Sequence, residues 1–133
     1  MRLTLTLMRK PFLHFGYNRA VSKVLRFLSL KPIKAVEFQL DPFTGNVKSI
    51  REAMRYLQGV KILRTNPTIE FRAKVVDDRS EPSLRAKFAD GKQYLIKTTN
   101  LSGLEVMEQM DRLVQMREPR TAEQIRPARV RGK

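Results

Sequence analysis

Apolar positions change their period several times along the chain, and each change marks an element. From Arg19 to Leu30 the spacing is helical: Val21, Val24, Leu25 and Leu28 share one face, while Arg19, Lys23 and Arg26 point elsewhere. Residues 1–18 before it have weak periodicity, with Pro11 and Gly16 as breakers. Ile33 to Leu40 alternates, with Val36, Phe38 and Leu40 on one side and Glu37 and Gln39 on the other, which predicts a half-buried strand. Asp41-Pro42-Phe43-Thr44-Gly45 then turns the chain. A helix is expected from about Asn46 to Gln58, capped by Thr44 or Asn46 and closed by Gly59. Its apolar stripe is Val47, Ile50, Met54 and Leu57, and Lys48, Arg51 and Arg55 form a separate basic stripe.

Three further strands are expected after Asn66-Pro67. Ile69, Phe71, Ala73 and Val75 face one way in the first, and Leu84, Ala86 and Phe88 do so in the second. The third runs from roughly Lys92 to Thr98, with Tyr94 and Ile96 opposing Leu95 and Lys97. Asp90-Gly91 between the last two reads as a two-residue hairpin turn in which both central positions take a positive φ. The last helix starts near Leu101, with Ser102 and Glu105 at capping-box spacing and Asn100 as a competing cap. Its stripe is Leu104, Met107, Met110 and Val114, and Pro119 ends it at the latest. Strands that alternate bury one sheet face and leave the other wet, so both helices must pack on the same side. The expected fold is a two-layer α/β sandwich, in the order strand, helix, three strands, helix. Arg72, Lys74, Arg85 and Lys87 would stand on its open face.

Composition narrows the chemistry. The chain has 133 residues, 41% of them hydrophobic, which suits a single domain. It contains no cysteine and one histidine, His14, which lies outside the expected globule. Disulfides, a thiol nucleophile, Cys-ligated zinc and dithiol redox chemistry are therefore excluded. Asp77-Asp78 reads as a solvated turn, and neither a phosphate-cradling glycine loop nor a hydrolase triad can be assembled. No catalytic, cofactor-binding or metal-binding residue is expected, and no transmembrane helix or small-molecule substrate.

The net charge is +14, and it is segregated. Residues 1–36 carry +8 with no acid, residues 37–111 carry +1, and residues 112–133 carry +5. The chain divides into a basic N-terminal arm with an amphipathic helix (1–30), a globular domain (31–117) whose centre is nearly neutral, and an Arg-rich tail (118–133). Such ends suit a polyanionic partner, nucleic acid first and an anionic membrane surface second. The acid-free N-terminus has the composition of a mitochondrial transit peptide, with an ordinary basic arm as the alternative. Candidate RNA-binding residues are Arg19, Lys23 and Arg26 in the arm, Lys48, Arg51 and Arg55 on the helix, and Arg126, Arg129, Arg131 and Lys133 in the tail. Two of the groups have a plain alternative: a solvated helix face for Lys48, Arg51 and Arg55, and a disordered non-binding tail for the last. Aromatic residues do not interleave with the basic ones, so backbone or duplex contact fits better than base stacking.

Several short segments in register resemble a known family. They are Leu28-Ser29-Leu30-Lys31-Pro32-Ile33-Lys34, Val36-Glu37-Phe38-Gln39-Leu40-Asp41-Pro42-Phe43, Asn46-Val47-Lys48-Ser49, Arg64-Thr65-Asn66, Ser80-Glu81-Pro82, Phe88-Ala89-Asp90-Gly91 and Leu101-Ser102-Gly103-Leu104-Glu105. Across roughly 28–112 the chain resembles the fifty-third family of mitochondrial large-subunit ribosomal proteins. The resemblance implies a thioredoxin-like fold without redox function, since Asp41-Pro42-Phe43-Thr44 stands where a redox relative has its cysteine pair. Pro82 occupies the place of the proline that is often cis in such folds. It also implies a structural role in the mitochondrial ribosome, with large-subunit ribosomal RNA and neighbouring mitochondrial ribosomal proteins as partners. The alternative is a non-catalytic accessory subunit of respiratory complex I with the same fold, its arms facing acidic protein or lipid headgroups. A free-standing nucleic-acid-binding regulator fits less well, because no symmetric recognition helix is present.

Overall fold

A computed structural model describes residues 16–120. Helix α1 covers residues 16–27. Strand β1 (Ile33–Leu40) follows, then helix α2 (Lys48–Leu57) and the one-turn helix α3 (Val60–Leu63). Strands β2 (Glu70–Val75), β3 (Ser83–Phe88) and β4 (Gln93–Lys97) lead to helix α4 (Gly103–Gln115). The four strands form one sheet in the order β2-β1-β3-β4, with β1 and β2 parallel and the other pairs antiparallel. A parallel pair needs a crossover, and α2 with α3 supplies it.

Alternation places Val36 and Phe38 of β1 and Leu84 and Ala86 of β3 in the core, all without solvent exposure. Ile50, Ala53 and Leu57 of α2 and Val106, Met107 and Met110 of α4 meet them from the helical layer. Val21 and Leu28 are also buried, so the first helix belongs to the globule and is not a detached arm. Glu37, Gln39, Arg72, Lys74, Arg85 and Lys87 occupy the other sheet face, in register across the strands.

The structure differs from the sequence reading in several places. Gly16 is helical, and α1 ends at Phe27 and not at Leu30. Pro32 disfavours helical backbone at Lys31, and Leu28 and Leu30 are drawn into the core beyond the helix end. Neither Thr44 nor Asn46 caps α2, whose N-cap is Val47 with no side-chain hydrogen bond. Thr44 Oγ1 donates instead to the Asp41 carbonyl at 2.8 Å, so its hydroxyl closes the preceding turn. Gly59 is extended (φ −61°, ψ 141°) and opens α3, a helix too short for periodicity to reveal. The β3–β4 turn is wider than expected. Gly91 N–H donates to the Phe88 carbonyl and Phe88 N–H to that of Lys92, leaving Ala89, Asp90 and Gly91 in the loop. Of these three, only Gly91 has a positive φ, +87°. This is a three-residue loop closed by a left-handed residue.

On α4, Leu104 is only half-buried and Val106 takes its place in the stripe, whereas the Ser102–Glu105 capping box is present as read. The Glu81–Pro82 bond is trans. Coverage of the sheet also stops short. Ala73 and Val75 pair with Phe38 and Leu40 and share their face, yet both are exposed, Val75 by 66%. β2 is an edge strand, and α2 packs on β1 and α4 and does not reach over its far end.

Candidate nucleic-acid interface

The six candidate cations within the described residues all lie on the helical layer. Arg19, Lys23 and Arg26 sit three and four positions apart, which aligns them on the outer face of α1. With Phe27 and Arg120 they line one shallow groove. Arg120 is held in that groove by Asp111 and by the Phe27 ring, 5.1 Å from its guanidinium carbon. Lys48, Arg51 and Arg55 repeat the spacing on α2, opposite the buried Ile50, Ala53 and Leu57. All six side chains are exposed. Arg126, Arg129, Arg131 and Lys133, like His14, lie outside the described residues.

These six share the absence of an acidic partner. Among the described residues, none of them has a carboxylate within ion-pairing distance. The open sheet face behaves differently. Glu37 accepts from Lys87 Nζ at 2.7 Å and lies 3.8 Å from Arg85, while Arg72 pairs with Glu70 at 3.2 Å and Lys97 with Glu81 at 3.7 Å. The Lys87 hydrogen bond, with the charges of Lys87, Arg85 and Arg72, holds the Glu37 carboxyl below the usual carboxylate range. Three of the four cations expected on that face thus have a carboxylate partner within the protein, Arg85 and Lys87 sharing that of Glu37. Counterion release rewards cations that lack an internal partner, and the stripes on α1 and α2 are made of such cations.

Glu52 would have been the natural partner of Lys48, one turn away on the same helix. Its carboxylate is taken: Tyr17 Oη donates to Glu52 Oε2 at 2.9 Å and accepts from Leu104 N–H at 3.1 Å. This joint ties α1, α2 and α4 together where α2 and α4 begin, with Lys48 on its rim. Burial, then the hydrogen bond with Glu52, pushes the Tyr17 hydroxyl up to about 12. The folded value lies above the ordinary 10.0, so the joint is intact below pH 10.0 and weakens as pH rises from there towards about 12. Urea unfolding across this range should show the stability gap between the wild-type protein and Tyr17→Phe narrowing above pH 10.0. Parallel curves would count against the joint.

Arg117 was not singled out in the sequence, and its role is internal. It lies 3.8 Å from the Phe88 ring centroid, pairs with Asp90 at 3.0 Å and donates to Tyr94 Oη, pinning the end of α4 to the β3–β4 hairpin. Thr65 and Asn66 also act internally. Thr65 Oγ1 accepts from Leu30 N–H, and Asn66 Nδ2 donates to the Leu30 and Ile33 carbonyls. The Asp41-Pro42-Phe43-Thr44 turn is closed on Asp41, which accepts from Phe43 N–H and Arg79 N–H.

No grouping of His, Asp or Glu among the described residues could hold a metal ion, and no helix among them is long and apolar enough to cross a membrane. The stripes on α1 and α2 can neutralise phosphates. Residues 40–91, from the end of β1 through the β3–β4 turn, match the family model described as 39S ribosomal protein L53/MRP-L53. That span includes the α2 stripe, the Asp41 turn and the Thr65–Asn66 clamp, and over it the chain is similar to the L53 family of mitochondrial large-subunit ribosomal proteins.

Proposed function

We propose that this protein is a non-catalytic, structural component of the mitochondrial large ribosomal subunit that grips ribosomal RNA by its phosphate backbone and docks against neighbouring ribosomal proteins. The observation that carries the reading is the pair of exposed helical stripes, Arg19, Lys23 and Arg26 with Lys48, Arg51 and Arg55, which have no carboxylate partner among the described residues. Phosphate contacts of this kind position a protein on RNA without reading its sequence. Arg126, Arg129, Arg131 and Lys133 would extend the grip along the tail. The sheet order β2-β1-β3-β4 with parallel β1 and β2 supports a thioredoxin-like domain, and the lack of cysteine supports one without redox chemistry. The family match favours the ribosome over a respiratory accessory subunit.

A sucrose gradient of mitochondrial lysate tests this reading. The protein should sediment with the large subunit and leave it after RNase treatment. Replacing all six stripe cations by glutamine should release it at lower salt, because each lost phosphate contact reduces the salt slope by about 0.7–0.9. Migration with membranes, indifferent to RNase, would overturn the assignment.

A further inference from the structure

The end of the domain where β1 begins carries a second cationic cluster. Lys31 and Lys34 flank the start of β1, Lys61 and Arg64 lie on and just after α3, and Lys92 follows the β3–β4 loop. These positions are scattered over more than sixty residues of sequence. Three sets of hydrogen bonds gather them. Thr65 Oγ1 accepts from Leu30 N–H at 3.0 Å, and Asn66 Nδ2 reaches the Leu30 and Ile33 carbonyls at 3.0 and 2.7 Å. Ala89 N–H donates to the Pro32 carbonyl at 2.9 Å, which draws the hairpin to the same place.

All five side chains are exposed, and none has a carboxylate within ion-pairing distance among the described residues. The acid nearest in sequence is Asp90, and it is held by Arg117 and by Lys92 N–H. Both helical stripes lead to this end. α1 runs into it through Leu28–Leu30, and α2 through Gly59 and α3, the two paths meeting at the Leu30–Thr65 bond.

We infer that Lys31, Lys34, Lys61, Arg64 and Lys92 form a phosphate-binding surface at which the α1 and α2 stripes converge, so that RNA backbone wraps the end of the domain and not only its helical face. This rests on the ribosomal RNA reading above and adds the surface that completes it. Five exposed cations with no ion-paired carboxylate among the described residues are better placed to meet phosphates than the paired open sheet face is.

The test uses the full chain and a mixed-sequence double-stranded RNA, with affinity measured over a salt series. Substituting all five by glutamine should flatten the slope of log affinity against log salt by roughly 3–4 units. A control that removes Arg72, Lys74, Arg85 and Lys97 from the open face should flatten it by less than about one unit. All these side chains are exposed, so thermal unfolding should be unchanged in both variants. An unchanged slope in the five-residue variant, with wild-type binding intact, would overturn this surface and leave the proposed function standing. Equal flattening in the control would reduce the effect to net charge and overturn it too. A wild-type protein with no salt-dependent RNA binding would sink both readings.

Discussion

Asp41→Ala is expected to destabilise the protein by about 3 kcal/mol or more, among the largest losses any single substitution here should cause. The residue ends β1 with no solvent exposure. Its Oδ1 accepts from Phe43 N–H at 2.9 Å and its Oδ2 from Arg79 N–H at 2.8 Å. One carboxylate therefore closes the turn after β1 and anchors the β2–β3 connection, where Arg79 takes a left-handed φ of +54°. Alanine strands both donors in a site closed to water and removes what holds Arg79 in that conformation. Asn retains one acceptor and points its amide at the second donor, so Asp41→Asn should lose roughly half as much. Equilibrium urea unfolding of the two variants checks this. An alanine variant as stable as the wild type would show that the turn holds without its carboxylate.

Gly103→Ala is expected to cost about 2–3 kcal/mol, against the small gain alanine usually brings to a helix. Gly103 does not have a positive φ, so space and not conformation requires glycine there. A Cβ would overlap Glu52 Oε2 and stand 2.9 Å from Glu52 Cβ and 3.1 Å from Tyr17 Oη. The carboxylate could swing aside, giving up the Tyr17 bond. Glu52 Cβ moves only with α2, so the start of α4 has to lift off the helical layer. Unfolding midpoints should fall accordingly, and the Tyr17 phenol should titrate closer to its ordinary 10.0 as the joint opens. A stable variant whose phenol still titrates near 12 would contradict the close approach.

These two sites show what a linear reading misses. Asp41 reads as a turn residue in Asp41-Pro42-Phe43, and its partner at Arg79 is 38 positions away. Gly103 reads as a single glycine beside a cap, and nothing local announces that Glu52 and Tyr17 approach it. The strands were legible because one face of each meets the core, which imposes period-two alternation on Val36, Phe38, Leu84 and Ala86. The α4 cap was legible because Ser102 and Glu105 satisfy each other's backbone within one turn. The α2 cap was misread because Thr44 had a nearer acceptor in Asp41. The stripes on α1 and α2 could be listed from spacing alone. That Glu37 of β1 meets Arg85 and Lys87 of β3 depends on strand register, which spacing does not carry.

By itself, the sequence determined the period of each main element, the lack of thiol chemistry and the cationic excess of the chain ends, because these depend only on residue identity and local spacing. Tertiary structure alone decided which cations have acidic neighbours, that Leu30 and Pro32 are hydrogen-bonded to Thr65 and Ala89, and why Asp41 and Gly103 are needed. Ion pairs, close approaches and buried hydrogen bonds join positions far apart in the chain, and only the pairing of the strands and the packing of α2 against β1 and α4 bring such positions within reach.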